Sequence, residues 1–429
     1  MQSILEAVPA SPVELETLPC GVPMLKTAMP GYHTCTLVLR VEGGLSSEPA
    51  GAGGLAAVIE QTLEQGSENM AGEELADALE LLGCSLGISA GRESWLISLS
   101  GLPERMASAV GLLEHVLLCP AFLPEDVETA VELAGQELNA LEDYPRGLLG
   151  RVVQRRCFGE PLGRHRLGSR ESLQSLMAEQ ARGHWRTCCT RRRISASLAG
   201  VWPGDEVQQS LDGLLSGLSE GMAPGLAPSA QFTAGYAHVS KELEQTQVGL
   251  SFPGVLYRDA DHPVESVLLA VLSGGMSSRL FVEVREKQGL VYWVGAWHEQ
   301  ARTAGVISVG AATTPARVEQ TLATILREID RAGEDVSEQE LERARVGLLA
   351  DELTSGASPG RRAMQVLGDW VHHGRLVDPG ERRTAIARVD AAAIRRYLEE
   401  HPRSALSIVT LGREALSSGT GLADSGRSI

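Results

Sequence analysis

The chain has 429 residues, of which 43% are hydrophobic and 22% are charged, and its formal net charge at pH 7 is −17. The length predicts about two to four packed units rather than one core. The negative charge argues against a nucleic-acid partner, because phosphates are bound by clustered lysine and arginine. No apolar run approaches the ~18 residues of a membrane span. The first residues lack a signal-peptide pattern and the seven cysteines are scattered, so a cytoplasmic location is expected.

The first half alternates between strand-like and helix-like segments. Apolar residues recur at every second position in the former and at every third or fourth position in the latter. The longest helix is entered through Pro124, which suits the first turn of a helix. In chain order, the pattern predicts a strand at 34–41, helices at 54–65 and 72–82, a strand at 95–102, an amphipathic segment at 103–118 and a helix at 123–142.

The second half repeats this order of segments. Ser337 and Glu340 form a capping-box pattern at the start of its long helix, and a proline follows the long helix of each half, at Pro145 and Pro359. The repetition predicts an internal duplication. The predicted elements are a strand at 247–253, a helix at 263–272, strands at 292–296 and 305–311, and helices at 315–332 and 337–353.

The join between the halves has the composition of a linker. Residues 214–232 are rich in glycine, serine and proline. We therefore predict an N-terminal domain at 1–213 and a C-terminal domain at 233–413. Residues 414–429 are small and polar, and we expect them to be disordered.

Residues 54–67 contain the most informative pattern of the chain. An inverted zinc motif, His-x-x-Glu-His, places two imidazoles and a glutamate on one face of a helix. Here Ala57 and Gln61 stand at the two histidine positions and only Glu60 is retained. Zinc catalysis requires three protein ligands and an open position for water, so this helix cannot hold the metal.

The frame around these residues resembles the M16 peptidase family, which includes pitrilysin, insulinase and the mitochondrial processing peptidase. In that family Gly-x-Ala-His-x-x-Glu-His precedes Gly-Thr/Ser, and a third ligand, a glutamate, lies about 75 residues further on. Glu137 stands at that separation from Gln61, within a segment that resembles the family's Glu-Asp-x-Pro region. Residues 158–169 resemble the family's Phe-x-x-His-Pro-Leu-Gly-x-x-x-Leu-Gly-Thr, with Glu160 replacing the histidine and one residue missing before Pro161.

The resemblance implies an α+β fold of two homologous domains, each a mostly antiparallel sheet packed with helices, of the LuxS/MPP-like metallohydrolase type. It also implies that Ala57, Glu60, Gln61 and Glu137 are the remains of a zinc site. Of the family's three ligands only the glutamate is left, so we expect no metal and no other cofactor on this chain. Without a metal-bound water, Glu60 would have no proton to remove as general base and would be an ordinary helix glutamate.

The second half keeps a different motif almost intact. Residues 274–292 resemble the family's Gly-Gly-Met-Ser-Ser-Arg-Leu-Phe-x-x-x-Arg-Glu-x-x-Gly-Leu-x-Tyr. In active members the second arginine and the tyrosine bind the substrate backbone and stabilise the tetrahedral intermediate; they correspond to Arg285 and Tyr292. A guanidinium and a phenol are suitable donors to an oxyanion. The alternative is a structural role, with Arg285 paired to a glutamate and Tyr292 packed at a strand start.

These features favour a subunit of a heterodimeric M16 peptidase. Its zinc-bearing partner would carry the intact His-x-x-Glu-His, and Arg285 and Tyr292 would act in trans on a peptide bound as an added strand. Three alternatives remain open: a non-catalytic scaffold or peptide-binding protein, an enzyme that uses other residues, and an inactive homodimer. Neither nucleic acid nor a membrane is an expected partner.

Two further patterns mimic metal sites. Leu-Leu-Glu-His ending at His115 lacks the first ligand, because Gly111 stands three residues before Glu114, and His115 is expected on a helix surface. Cys188 and Cys189 lie near His184 without a fourth ligand, and buried thiols are the better interpretation.

Overall fold

The computed structural model describes residues 12–416, which form two domains with one large β-sheet each. The first sheet has the order β1-β2-β8-β3-β7-β6. Its β2–β8 pair is parallel and its other pairs are antiparallel. The strands of the first domain, including a two-stranded hairpin β4-β5, are β1 Val13–Thr17, β2 Pro23–Ala28, β3 Cys35–Glu42, β4 Gly66–Ser67, β5 Met70–Ala71, β6 Ser85–Ala90, β7 Ser94–Gly101 and β8 Ile194–Gly200.

Helices pack against this sheet and bury a core that extends from Leu18 to Leu218. The predicted amphipathic segment 103–118 is divided into a short 3-10 turn and two helices, and the division follows Gly111, a weak helix former. The helices are α1 Leu55–Leu63, α2 Gly72–Leu81, α3 Met106–Leu112, α4 Glu114–Leu117, α5 Pro124–Glu142, α6 Pro145–Phe158, α7 Arg170–Gln174, α8 Ala178–Cys188 and α9 Asp205–Ser216.

The second sheet has five strands in the order β11-β12-β10-β13-β9. Its β9–β13 pair is parallel and the others are antiparallel. The strands are β9 Gly235–Ser240, β10 Thr246–Gly254, β11 Val291–Ala301, β12 Ala304–Thr313 and β13 Ser407–Gly412. The helices are α10 His262–Ser273, α11 Val318–Asp335, α12 Glu338–Ser355, α13 Pro359–His373, α14 Pro379–Ala387 and α15 Ala391–Glu400, and a π-helix spans Phe281–Lys287.

The two sheets share one topology. Strands β2, β8, β3, β7 and β6 of the first domain occupy the same positions as β9, β13, β10, β12 and β11 of the second, and the single parallel pair is equivalent in both. The predicted α+β fold of two similar, mostly antiparallel domains is therefore confirmed. The capping box at Ser337 is also present, since its hydroxyl accepts from the Glu340 amide.

Each domain contributes one helix to the sheet of the other. Helix α6 of the first half packs on β10 and β13, and helix α13 of the second half packs on β2, β3 and β8. On α6, Val153 packs where Gly249 of β10 has no side chain, because a Cβ there would lie 2.7 Å from the valine methyl group. On α13, Leu367 is buried against Val38 and Ala199 of the first sheet. Both faces of the central strands are consequently covered.

Ion pairs add to this contact between the domains. Arg302, in the β11–β12 turn, lies 3.0 Å from Glu42 and 3.1 Å from Glu93 of the first domain. In the opposite direction Arg92 donates to the backbone carbonyl of Gln300 at 2.9 Å and pairs with Glu299 at 3.2 Å. Because these side chains are mostly buried, the pairs fix the orientation of one domain on the other more firmly than exposed pairs would.

The connection between the domains is irregular. Helix α9 continues to Ser216, so the first residues of the predicted linker are helical, and residues 219–234 have no regular secondary structure. The domain limits at 213 and 233 remain predictions. Except for its first three residues, the tail predicted at 414–429 lies outside the described residues. Across residues 12–416, no helix has both the length and the apolar character that a membrane span needs.

Candidate functional site

Helix α1 carries the residues that stand at the predicted zinc-motif positions. It begins after Gly54, whose φ of 94° lies in the left-handed region that favours glycine. The carboxylate of Glu48 accepts the backbone amides of Gly54 and Ala56 at 3.2 and 2.9 Å and so caps the helix. Burial raises the pKa of Glu48 to about 7, although these hydrogen bonds oppose the rise. Ala57, Glu60 and Gln61 follow at helical spacing on one face.

A guanidinium joins the two glutamates of the predicted zinc site. Arg166 contacts Glu60 at 3.0 Å and Glu137, on helix α5, at 3.2 Å. The second oxygen of Glu60 accepts the backbone amide of Ala90, the last residue of edge strand β6, at 2.8 Å. Arg166 thus brings together Glu60 and Glu137, which are 77 positions apart in the sequence (137 minus 60). That they are the remains of a zinc site stays a prediction.

These residues do not fit a zinc ion. Ala57 is buried and has no donor atom, while the Gln61 side-chain oxygen is buried without a hydrogen-bond partner. The carboxylates of Glu60 and Glu137 both pair with Arg166, whose positive charge offsets theirs as a metal cation would. Sequence reasoning missed Arg166, which lies in the segment 158–169; the one available signal was that two retained glutamates on facing helices require a cation.

Elsewhere in the described residues, one group of three side chains has metal-ligand spacing: Asp261, Glu400 and His401 in the second domain.

Neither of the two sequence patterns that mimic metal sites forms such a group in the described residues. His115 is buried and its Nδ1 lies 2.8 Å from the Ser67 hydroxyl, so the expectation of a surface histidine was wrong. His115 lies on the short helix α4, which packs on strand β4.

The thiols of Cys188 and Cys189, near His184, are buried, as predicted from the absence of a fourth ligand in the sequence around them. Cys188 lies 3.8 Å from the ring nitrogen of His184, and Cys189 contacts a backbone carbonyl. Burial lowers the pKa of His184 to about 4 and raises the pKa of both thiols. A neutral imidazole beside protonated thiols is a packing arrangement rather than a reactive pair.

In the second domain, the two arginines of the motif at residues 274–292 differ in burial and in ion pairing. Arg279 is buried and donates to Asp335 at 2.7 Å and to Glu340 at 2.7 and 3.0 Å, which ties the motif to helices α11 and α12. Six residues later, Arg285 lies in the π-helix and is 37% exposed; its nearest carboxylate, Glu286, is 3.8 Å away. Arg279 therefore has the structural role, and the Arg285 guanidinium is available to a ligand.

Tyr292 lies on the edge strand β11, beside Arg285 of the π-helix. Its side chain is 77% exposed, and the Arg285 guanidinium lies 5.3 Å from the ring centroid of Tyr292 and 4.7 Å from that of Phe281. The pairing register of β11 with β12 shifts between Val291 and Trp293, so Tyr292 is the extra residue of a β-bulge. Bulges re-aim single side chains and are frequent beside functional sites. A stacked pair of hydrogen-bond donors thus projects from the sheet edge.

Comparison with known proteins identifies the family of the chain. The family described as insulinase (peptidase family M16) matches residues 24–170, and the peptidase M16 inactive domain matches residues 175–348. The chain belongs to the M16 peptidase family. The family resemblance predicted from the sequence is therefore confirmed.

Relatives and solved structures give the same result. An uncharacterized zinc protease of Rickettsia bellii is 25% identical over 376 residues, 87% of this chain and 91% of that protein. One of Mycobacterium bovis is 29% identical over 368 residues, 82% of each chain. The fold matches a peptidase M16 inactive domain from Pseudomonas fluorescens with a TM-score of 0.85 and 20% identity over 95% of this chain and 99% of the other. A protease from Helicobacter pylori gives 0.85 at 14% identity, with coverages of 94% and 100%.

Proposed function

We propose that this M16 protein is the metal-free subunit of a heterodimeric zinc peptidase and that it supplies Arg285 and Tyr292 to the active site of a zinc-bearing partner. The observation that carries the proposal is the contrast between the two domains. In the first, Arg166 pairs with the carboxylates that would serve a metal. In the second, Tyr292 is exposed and the Arg285 guanidinium is partly exposed, with its nearest carboxylate 3.8 Å away and the rings of Phe281 and Tyr292 beside it.

The chemistry of the exposed pair suits peptide hydrolysis. When water attacks a peptide carbonyl, negative charge develops on its oxygen, and donors placed in advance around that oxygen lower the barrier. The Arg285 guanidinium and the Tyr292 hydroxyl can both donate. Their place on an edge strand also suits a substrate that binds as an added strand, since β11 pairs on one side only, with β12.

Mixing the chain with an M16 subunit that has an intact His-x-x-Glu-His tests the proposal; a gene adjacent to that of this chain is the first place to seek such a subunit. The chain alone should contain no stoichiometric zinc by elemental analysis and should not cleave a quenched fluorogenic peptide. The mixture should contain zinc and should cleave the peptide. In the complex, Tyr292→Phe should lower kcat by about 100-fold, the loss typical of a missing oxyanion donor.

Arg258→Ala provides a matched control, because Arg258 is an exposed arginine of the same domain with no contact in the described residues. It should leave the activity of the complex within about twofold of the unmodified one, since surface substitutions seldom disturb a fold. Unchanged rates after both Arg285→Ala and Tyr292→Phe, in a complex that still assembles, would overturn the role in trans.

The alternative is a peptide-binding scaffold without a catalytic contribution. The exposed edges of β6 and β11 favour it to the extent that they offer strand pairing to a peptide. Fluorescence anisotropy with labelled peptides separates the two functions. A scaffold would bind peptide as tightly without a partner as with one, whereas a subunit of a heterodimeric peptidase would need its partner to bind peptide.

A further inference from the structure

A small cavity on the first domain is lined by arginines although the whole chain is strongly acidic. It has a volume of about 210 Å³ and lies between helix α6, the loop that precedes α1 and residues 160–172. A single water molecule needs about 10–15 Å³ by the same kind of measure. The cavity therefore has room for a small ligand group and its hydration.

The charges around the cavity do not balance. Arg151, Arg155 and Arg164 line it, and Glu160 is the one carboxylate among its lining residues. Glu160 accepts from Arg164 at 2.5 Å, so this pair is internally neutral. The two arginines of α6 remain, on a chain whose net charge is −17.

Arg151 and Arg155 stand four residues apart on α6, where like charges face each other and destabilise a helix. Burial lowers the pKa of Arg151; the negative charge of Glu142 opposes this, and the positive charge of Arg155 adds to it. Arg151 donates one hydrogen bond, to the carbonyl of Gly168 at 2.9 Å. Arg155 makes no side-chain hydrogen bond or ion pair with the described residues.

The other arginines of α6 show what a structural role looks like on this helix. Arg146 lies over the ring of Trp293 at 3.6 Å, and Arg156 donates to Ser407 and to three backbone carbonyls of residues 233–235. Both join the two domains. Arg155 has no such task, so the fold does not account for its position.

The remaining wall leaves the two guanidinium groups accessible. A Cβ at Gly51 would meet nothing within 4 Å, so the cavity is open on that side. His165 lies opposite, and burial together with the charges of Arg151 and Arg166 lowers its pKa to about 4. The imidazole is therefore neutral near pH 7 and can donate a hydrogen bond without adding charge.

We propose that this cavity binds a small oxyanion, either the terminal carboxylate of a peptide or a phosphate ion, through Arg155 and Arg151. Guanidinium groups hold both anions with paired, charge-assisted hydrogen bonds. The anion would also relieve the repulsion between the two arginines. The site involves neither Arg285 nor Tyr292, so it is independent of the proposed peptidase function and can be measured on the isolated chain.

Isothermal titration at low ionic strength tests the proposal with three probes: inorganic phosphate, a short peptide with a free C-terminus and the same peptide as its amide. Phosphate or the free-acid peptide should bind with a stoichiometry of one, and the amide should not. Arg155→Gln should weaken binding at least about tenfold, because a charge-assisted contact is lost. Arg155→Lys keeps the charge but loses the paired hydrogen bonds, so it should bind more tightly than Arg155→Gln and less tightly than the unmodified chain.

Arg186→Gln makes the same charge change on an exposed part of α8, away from the cavity, and should leave binding unchanged. Circular dichroism confirms that each variant is folded. Binding of the free-acid peptide alone identifies the peptide terminus as the ligand, and binding of phosphate alone identifies the free anion. Absence of binding by both anions, or equal binding by the Arg155→Gln and unmodified chains, would overturn the proposal.

Discussion

Arg166 should act as the barrier to a restored zinc site. The perturbation is Ala57→His with Gln61→His, made once in the native background and once together with Arg166→Ala. With Glu137, the two imidazoles supply the three protein ligands of a catalytic zinc site. In the native background, however, a zinc ion must displace Arg166 from both carboxylates before Glu137 can coordinate it.

The size of this effect follows from the contacts of the guanidinium. The side chains of Arg166, Glu60 and Glu137 are 36%, 16% and 48% exposed, so solvent screens both pairs. Pairs of this kind contribute about 0.2–1 kcal/mol each, which gives about 0.4–2 kcal/mol for the two. Since 1.4 kcal/mol is a factor of ten in affinity, removing Arg166 should tighten zinc binding by about two- to thirtyfold.

Competition with a chromophoric chelator measures the two zinc affinities. Because Ala57 is 3% exposed, a histidine there overpacks the helix by about 1–3 kcal/mol, and thermal unfolding must show that both variants are folded. Arg166→Ala alone is the control and should bind no stoichiometric zinc. Equal affinity in the two histidine backgrounds would refute the idea that Arg166 takes the place of the metal.

Three further outcomes are expected. Glu48→Gln should remove a pH dependence of stability. The folded pKa of Glu48, about 7, exceeds the ordinary 4.5, so the unmodified chain loses stability as pH rises between those values, on the order of 3 kcal/mol. Urea denaturation at pH 5 and pH 8 should therefore show the free energy of unfolding of the variant rising relative to that of the unmodified chain as pH rises. Arg279→Ala should lower the free energy of unfolding by about 3 kcal/mol because it leaves the mostly buried Glu340 without its cation, while Asp335 keeps Arg331. Arg285→Ala should change it by less than about 0.5 kcal/mol, and an equal loss for both would contradict their different roles. Gly310→Ala should destabilise by about 1–3 kcal/mol, since its Cβ would lie 2.7 Å from the ring of Trp293, and an unchanged melting temperature would show that the ring moves aside without strain.

Much of the fold could be predicted because local patterns agree with tertiary burial. The helix predicted at 123–142 is found at Pro124–Glu142, and the strand predicted at 95–102 is found at Ser94–Gly101. The central strands Ile194–Gly200 and Ser407–Gly412 were not predicted. All residues of both strands are buried, because a helix from the opposite domain covers their second face, so they lack the alternation that identifies a half-exposed strand.

The candidate site shows the same division between local and tertiary information. Spacing along one helix singled out Ala57 and Gln61, and the separation from Gln61 singled out Glu137; that these are the positions of a former zinc site stays a prediction. The partner of the two glutamates is a tertiary contact from Arg166, on a loop whose path depends on packing, and no spacing rule reports it. Likewise, the motif containing Arg279 and Arg285 gave no sign that one arginine is buried and the other exposed.

The arginine between Glu60 and Glu137 explains how the fold accommodates two facing carboxylates. Two carboxylates left facing each other without a cation would repel, and one of them would have to take up a proton or move into solvent. Arg166 supplies a positive charge at hydrogen-bonding distance from both, so helices α1 and α5 stay connected at this point without a metal. Glu60 in turn holds the last residue of edge strand β6 through the amide of Ala90. Arg166 therefore links helices α1 and α5 through Glu60 and Glu137, and these glutamates need no catalytic role to account for them. Under the proposed function, peptidase chemistry would enter through Arg285 and Tyr292 and a metal held by another chain.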